Sequence, residues 1–160
     1  MSLMIQGCVL KLPVVQEAGS AGLYAAVRNE VETEWLHGEL VKQRKQVFYP
    51  KIDGKSLRFF EVEKVADLVK GRWGIREPLE DVVKEVNEIE TIIIPAVAFD
   101  ERGYRIGFGK GYYDRCLEKY RGVIVGCVYD FQVFDDVPHH KGDLRCDWIV
   151  TERRVIAVGR

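Results

Sequence analysis

The densest chemistry in the chain lies in Arg105-Ile106-Gly107-Phe108-Gly109-Lys110-Gly111-Tyr112-Tyr113-Asp114-Arg115. Gly107, Gly109 and Gly111 alternate with Phe108 and Lys110, leaving a backbone with few Cβ atoms that is free to take positive φ. Such a backbone can wrap an anion with successive N–H groups. Lys110 and the flanking arginines add positive charge, and a helix starting near Tyr112 would turn its positive end the same way. Phosphate is the natural guest, with Asp114 able to hold a metal ion beside it. Glycine clusters also occur as plain turns, so the loop alone leaves both readings open.

Two familiar phosphate motifs are excluded. The Gly-Tyr pair after Lys110 replaces the Ser/Thr that a Walker A loop needs for magnesium, and the alternate glycines do not fit a dinucleotide fingerprint. Tyr112 and Tyr113 could stack on or hydrogen-bond to a planar substrate. His139 and His140 lack a third nitrogen or sulfur ligand at a sensible spacing, which argues against zinc. Asp143 and Asp147 offer hard oxygen ligands suited to magnesium, although Asp147 also fits a turn acid before a strand. Glu30 reads either as a solvated acid before a helix or as a carboxylate accepting paired N–H donors from a heterocycle. Trp73 lies among arginines and glycines in 72–78, where it either packs under the loop or lines a site.

These residues need a scaffold, and the apolar pattern supplies one. Leu23 to Val27 is an apolar run of buried-strand length, after which Thr33 can cap a helix carrying Leu36, Leu40 and Val41. Val47 to Pro50 reads as a strand stopped by proline, 52–55 as a turn, Leu57 to Val62 as a strand, and 63–70 as a short helix closing at Gly71. Thr91 to Pro95 is the clearest core strand; Ala98 to Tyr104 reads as a turn bent at Gly103. A helix from Tyr112 to Tyr120, a strand from Val123 to Tyr129 and a closing strand pair at 147–151 and 155–158 complete the pattern. Before Leu23, residues 5–19 allow at most a short helix. This is α/β grammar: a three-layer α/β/α domain around a mainly parallel sheet, with a short antiparallel C-terminal pair.

Lys plus Arg (24) nearly balance Asp plus Glu (25), so the chain has no global basic surface suited to nucleic acid. Cys8, Cys116, Cys127 and Cys146 form no C-x-x-C pair. Together with the lack of a signal-peptide pattern or a membrane-length apolar run, this points to a reducing cytoplasm and no membrane association. Met1-Ser2-Leu3 before Met4 reads as a leader outside the fold, giving one domain over 5–160.

Three blocks together resemble the 5-formyltetrahydrofolate cyclo-ligase family, also called methenyltetrahydrofolate synthetase. They are Asn29-Glu30-Val31-Glu32-Thr33, Trp73-Gly74-Ile75-Arg76-Glu77-Pro78, and Ile94 to Asp100 running on through Arg105 to Arg115. The resemblance implies a three-layer α/β fold and ATP- and Mg²⁺-dependent closure of 5-formyltetrahydrofolate to 5,10-methenyltetrahydrofolate, releasing ADP and phosphate. It further implies that Arg105, Gly107, Phe108, Gly109, Lys110, Gly111, Tyr112 and Tyr113 surround ATP, with Lys110, Arg105 and Tyr113 catalytic. Ala25, Glu30, Trp73, Phe108 and Tyr113 would line the folate site, and Asp114 and Asp143 would hold the metal. The expected assembly is a monomer or weak homodimer.

Two departures accompany the resemblance. Family members usually begin with a long basic helix reaching over the nucleotide, whereas residues 4–22 offer only Lys11. Some relatives have a basic residue where this chain has Phe108. These departures motivate the rival expectation of a non-catalytic folate- or nucleotide-binding relative.

Overall fold

A computed structural model describes residues 1–79 and 83–159; residue 160, the outer bound of the expected domain, lies outside them. Among the described residues the helices are α1 (Ser2–Lys11), α2 (Pro13–Glu17), α3 (Glu34–Lys42) and α4 (Tyr112–Cys116). The strands are β1 (Ser20–Gly22), β2 (Gln46–Asp53), β3 (Ser56–Glu61), β4 (Val69–Lys70), β5 (Arg76–Glu77), β6 (Val83–Lys84) and β7 (Thr91–Pro95). They continue as β8 (Ala98–Asp100), β9 (Arg105–Ile106), β10 (Val123–Cys127), β11 (Val133–Phe134), β12 (Trp148–Val150) and β13 (Val155–Ala157).

The main sheet has the order β13-β12-β10-β7-β1-β2-β3-β6. Its centre, from β12 through β10, β7 and β1 to β2, is parallel. The expected antiparallel closing pair, β12 with β13, is present, and the opposite edge adds an antiparallel β2-β3-β6 meander. Strand side chains alternate between faces, and the core divides accordingly. Val47, Tyr49, Ile93, Val125 and Val150 face one cluster with Ile5 and Val9 of α1 and Leu36 and Leu40 of α3. Phe48, Ile92, Ile94, Ile124 and Ile149 face the other, with Leu117 and Tyr120 following α4. Fully burying an aliphatic side chain of this kind contributes roughly 1.5–3 kcal/mol, so the two-sided apolar strands anchor all three layers.

Several sequence expectations change. The first strand is Ser20–Gly22, while Leu23 to Val27 leaves the sheet at its carboxyl end; Leu23 and Tyr24 are buried by packing without extending the strand. Pro50 does not stop β2. The carbonyl of Phe48 accepts from Leu23 N–H, so Pro50, two residues on, faces the same side beyond the end of β1, where no ladder donor is required. Residues 63–70 form a 3₁₀ turn at Val65–Asp67 and the short strand β4, which pairs with β5 instead of coiling as a helix. The helix expected to reach Tyr120 ends at Cys116, and the segment 98–104 contains β8 before its turn.

The N-terminus forms two helices in place of one short one. Ser2, placed outside the fold by sequence, opens α1, and its Oγ accepts from Glu32 N–H at 2.8 Å. Gln6 Oε1 accepts the Leu36 N–H at 3.0 Å, capping α3 from a neighbouring helix. Thr33 stands at the N-cap position, but its hydroxyl donates instead to the Tyr24 carbonyl at 2.7 Å. Val41, expected on the buried face of α3, is exposed; His37 takes the inward position. Among the described residues no helix is long and apolar enough to cross a membrane, and all four cysteines are free.

Candidate active site

The carboxyl ends of β1 and β7 open into a cavity of about 770 Å³, whose lining includes Tyr24, Ala25, Pro95 and Ala96. Parallel α/β sheets place ligands at this end, where strand-to-loop connections diverge. One wall is the segment following β1. Tyr24 OH donates to Val31 O at 2.7 Å, closing 24–31 into a strap, and Val27 N–H donates to Glu30 Oε1 at 2.9 Å. Burial holds the Glu30 carboxyl above the usual carboxylate range, against the Val27 hydrogen bond and the charges of Arg105 and Arg28.

The facing wall is the glycine loop. Gly109 and Gly111 have φ of 86° and 69°, a left-handed conformation that a Cβ would strain. Gly107 has a different reason for its identity, because a Cβ there would approach Arg105 Nη1 to 2.8 Å. The loop thus folds against the Arg105 guanidinium. Nη1 of Arg105 donates to Pro95 O at 3.2 Å and the group lies 5.2 Å from the centre of the Tyr113 ring. Its Nε is buried without a hydrogen-bond partner among the described residues. Burial lowers the Arg105 pKa, with Asp114 the largest opposing influence, but a guanidinium stays charged across the physiological range. Burial likewise pushes the Tyr113 phenol up, keeping it protonated.

The expected helix dipole contributes little, since α4 has only five residues. Arg115 also turns away from the cavity. It braces the loop by donating to the carbonyls of Lys110 and Lys55. Positive charge around the cavity therefore comes from Arg105, Lys110, Arg72, Arg76 and a residue that sequence reasoning missed, Arg28.

A third wall is the turn between β4 and β5. Gly71 N–H donates to Ile75 O at 2.8 Å, and Trp73 sits in the turn at φ 64°, 64% exposed. Lys110 Nζ lies 4.6 Å from the centre of its indole. Across the mouth, the Arg28 guanidinium is 5.7 Å from the centre of the Phe108 ring. The position that lacks a basic side chain in the loop consequently has one placed over it.

Ala25, Glu30, Trp73, Arg105, Gly107, Phe108, Gly109, Lys110, Gly111, Tyr112, Tyr113 and Asp114 all line this one cavity. Asp143 does not. Its carboxylate accepts the His140 N–H at 2.6 Å, while its neighbour Leu144 donates to Asp114 Oδ1 at 3.4 Å, tying the two segments together. Tyr24, Arg28 and Arg72 also line the cavity; Arg72 was legible only as part of the basic setting of Trp73.

Residues 2–152 match the model of the 5-formyltetrahydrofolate cyclo-ligase family. The chain is 32% identical over 167 residues to the probable 5-formyltetrahydrofolate cyclo-ligase of Schizosaccharomyces pombe, covering 92% of this chain and 82% of that one. It is 30% identical over 155 residues to 5-formyltetrahydrofolate cyclo-ligase of Escherichia coli K12, covering 92% and 85%. The NMR structure of Aquifex aeolicus 5,10-methenyltetrahydrofolate synthetase matches with a TM-score of 0.88 and 36% identity, over 99% of this chain and 81% of that chain. On this sequence and structural similarity, the chain belongs to the 5-formyltetrahydrofolate cyclo-ligase family.

Proposed function

We propose that this chain closes 5-formyltetrahydrofolate to 5,10-methenyltetrahydrofolate using ATP and Mg²⁺, with release of ADP and phosphate. The observation that carries the reading is the buried, unpartnered Nε of Arg105 in the same cavity as the glycine loop and Glu30. A buried, orphaned N–H on a half-buried cation calls for an anionic partner, and a nucleotide phosphate supplies one. Family membership supports catalysis over the non-catalytic alternative that the two departures suggested.

In this reading Arg105 and the residues Gly107, Phe108, Gly109, Lys110, Gly111, Tyr112 and Tyr113 take the nucleotide. Lys110 leaves the Trp73 face to neutralise the transferring phosphoryl group. Ala25, Glu30 and Trp73 hold the reduced pterin, with Glu30 accepting from its ring N–H groups. Phe108 and Tyr113 flank the formyl group, and the Tyr113 phenol serves as a hydrogen-bond donor. A formyl oxygen is a poor leaving group until phosphorylated, so positioning and charge neutralisation suffice without a protein nucleophile.

The carboxylates suit magnesium. Asp114 is an exposed oxygen donor on the cavity wall, and the Leu144–Asp114 hydrogen bond brings the Asp143 segment to it. Asp114 and Asp143 would hold the ion, which when bound would offset phosphate charge. The proposal places this activity in one domain that includes α1 from Ser2, in the cytoplasm, as a monomer or weak homodimer. The test is to mix protein, 5-formyltetrahydrofolate, Mg²⁺ and ATP and follow methenyl absorbance. ATP-dependent product is expected; its absence would overturn the assignment.

A further inference from the structure

Three non-glycine residues have positive φ among those described: Arg28, Arg44 and Trp73. Arg44 has a local reason, because it follows α3 and its N–H closes onto Val41 O at 2.9 Å. Arg28 (φ 53°) and Trp73 (φ 64°) instead line the cavity on different walls. Left-handed backbone at a residue with a long side chain is disfavoured and persists where the surroundings impose it. At Arg28 the imposing element is the strap closed by Tyr24 and Val31, with Val27 and Glu30 joined inside it.

The strap aims a free cation at the phosphate loop. Among the described residues the Arg28 guanidinium makes no hydrogen bond or ion pair; its near contact is the exposed face of Phe108. Glu30, the acid two residues on, already accepts from Val27 N–H. An exposed cation–π contact is weak beside charge-assisted hydrogen bonds to a phosphate, so an entering polyphosphate outcompetes the ring. With α4 short and Arg115 engaged with carbonyls, Arg28 adds its charge to those of Arg105 and Lys110 on the same cavity.

We propose that Arg28 is a nucleotide-contacting residue: it rests on Phe108 and moves from that ring to take the terminal phosphates from the wall opposite the glycine loop. The proposal rests on the cyclo-ligase reading and adds to it a residue and a direction of approach. It also assigns the anion. The carboxylates of the folate tail share the same chemistry, and the two sources are separable by measurement.

The experiment compares wild type, Arg28→Gly and Arg28→Lys in steady-state kinetics with each substrate varied, in calorimetric titration of MgATP without folate, and in thermal melting. Glycine accepts the left-handed backbone, so Arg28→Gly is expected to melt no lower than wild type while its KM and Kd for ATP rise roughly tenfold, the loss of a charge-assisted contact. The KM for 5-formyltetrahydrofolate should stay within about twofold, and Arg28→Lys should fall between the two proteins. An ATP affinity within about twofold of wild type in Arg28→Gly would overturn the proposal, as would a shift confined to the folate KM. The MgATP titration needs no turnover. It therefore judges Arg28 even if wild type forms no methenyl product, the result that would sink the functional reading alone.

Discussion

Asp100 and Arg105 lie on neighbouring strands of one small sheet, β11-β8-β9, and each holds polar atoms away from water, but those atoms end in opposite states. Asp100 is 0% exposed and fully engaged. Its Oδ1 accepts the N–H groups of Arg102 and Tyr104 at 3.0 and 3.2 Å; its Oδ2 accepts Val137 N–H at 3.1 Å and Arg102 Nη2 at 3.3 Å. Arg105 has one bond to Pro95 O and a buried Nε with no partner. A buried charge whose donors and acceptors are all provided for fixes chain path; one left incomplete marks where something else binds. The same distinction explains why Asp100, Asp136 and His139, whose ligand atoms cluster within 4.8 Å, are not read as a metal centre: Arg102 already bridges the two acids.

The largest expected effect is on the satisfied side. Asp100→Ala leaves three backbone donors without their acceptor and should cost about 3–5 kcal/mol in urea unfolding. A loss below about 1 kcal/mol would show that the carboxylate does not organise these turns. On the unsatisfied side, Lys110→Ala should lower kcat by roughly a hundredfold to a thousandfold, as for removal of a transition-state charge partner. Melting temperature and folate affinity should hardly move. Equal loss of turnover and folate binding would contradict the role given to Lys110.

Glu30 tests the middle ground, since it has one internal bond and spare acceptor capacity. Its pKa is raised by burial, so the folded state binds a proton more readily than the unfolded chain. Its contribution to stability is therefore most favourable below the ordinary carboxyl value and is lost as pH rises through the raised one. Glu30→Gln should weaken folate binding about tenfold yet gain stability relative to wild type as pH rises from acidic to neutral. Parallel stability–pH curves for the two proteins would remove burial as the cause.

Sequence and structure agree where a signal is local. Thr91–Pro95 and Val123–Cys127 are apolar runs that form core strands, and the alternate glycines of 107–111 mark the loop by chemistry that needs no partner. They part where tertiary context decides. Ser20–Gly22 carries no strand signal, because small residues are wanted there: a Cβ on Gly22 would press within 3.1 Å of Phe59. The charged segment 63–70 could coil, but pairing with Arg76–Glu77 wins. Arg28 was invisible as a site residue because its role depends on a strap closed by Tyr24 and Val31. Gln6 caps α3 from 30 residues away, a relation no local pattern encodes.

The most direct test of the contrast is a melting experiment on wild type and Arg105→Met, each with and without MgATP. Replacing a half-buried, incompletely paired cation by an apolar side chain should leave the ligand-free melting temperature equal or higher. MgATP at about 100 times its Kd should stabilise wild type by roughly 2.7 kcal/mol and leave Arg105→Met nearly unmoved. A variant that melts far below wild type without ligand, or that keeps the full MgATP shift, would contradict the claim that the unpartnered Arg105 marks the nucleotide site.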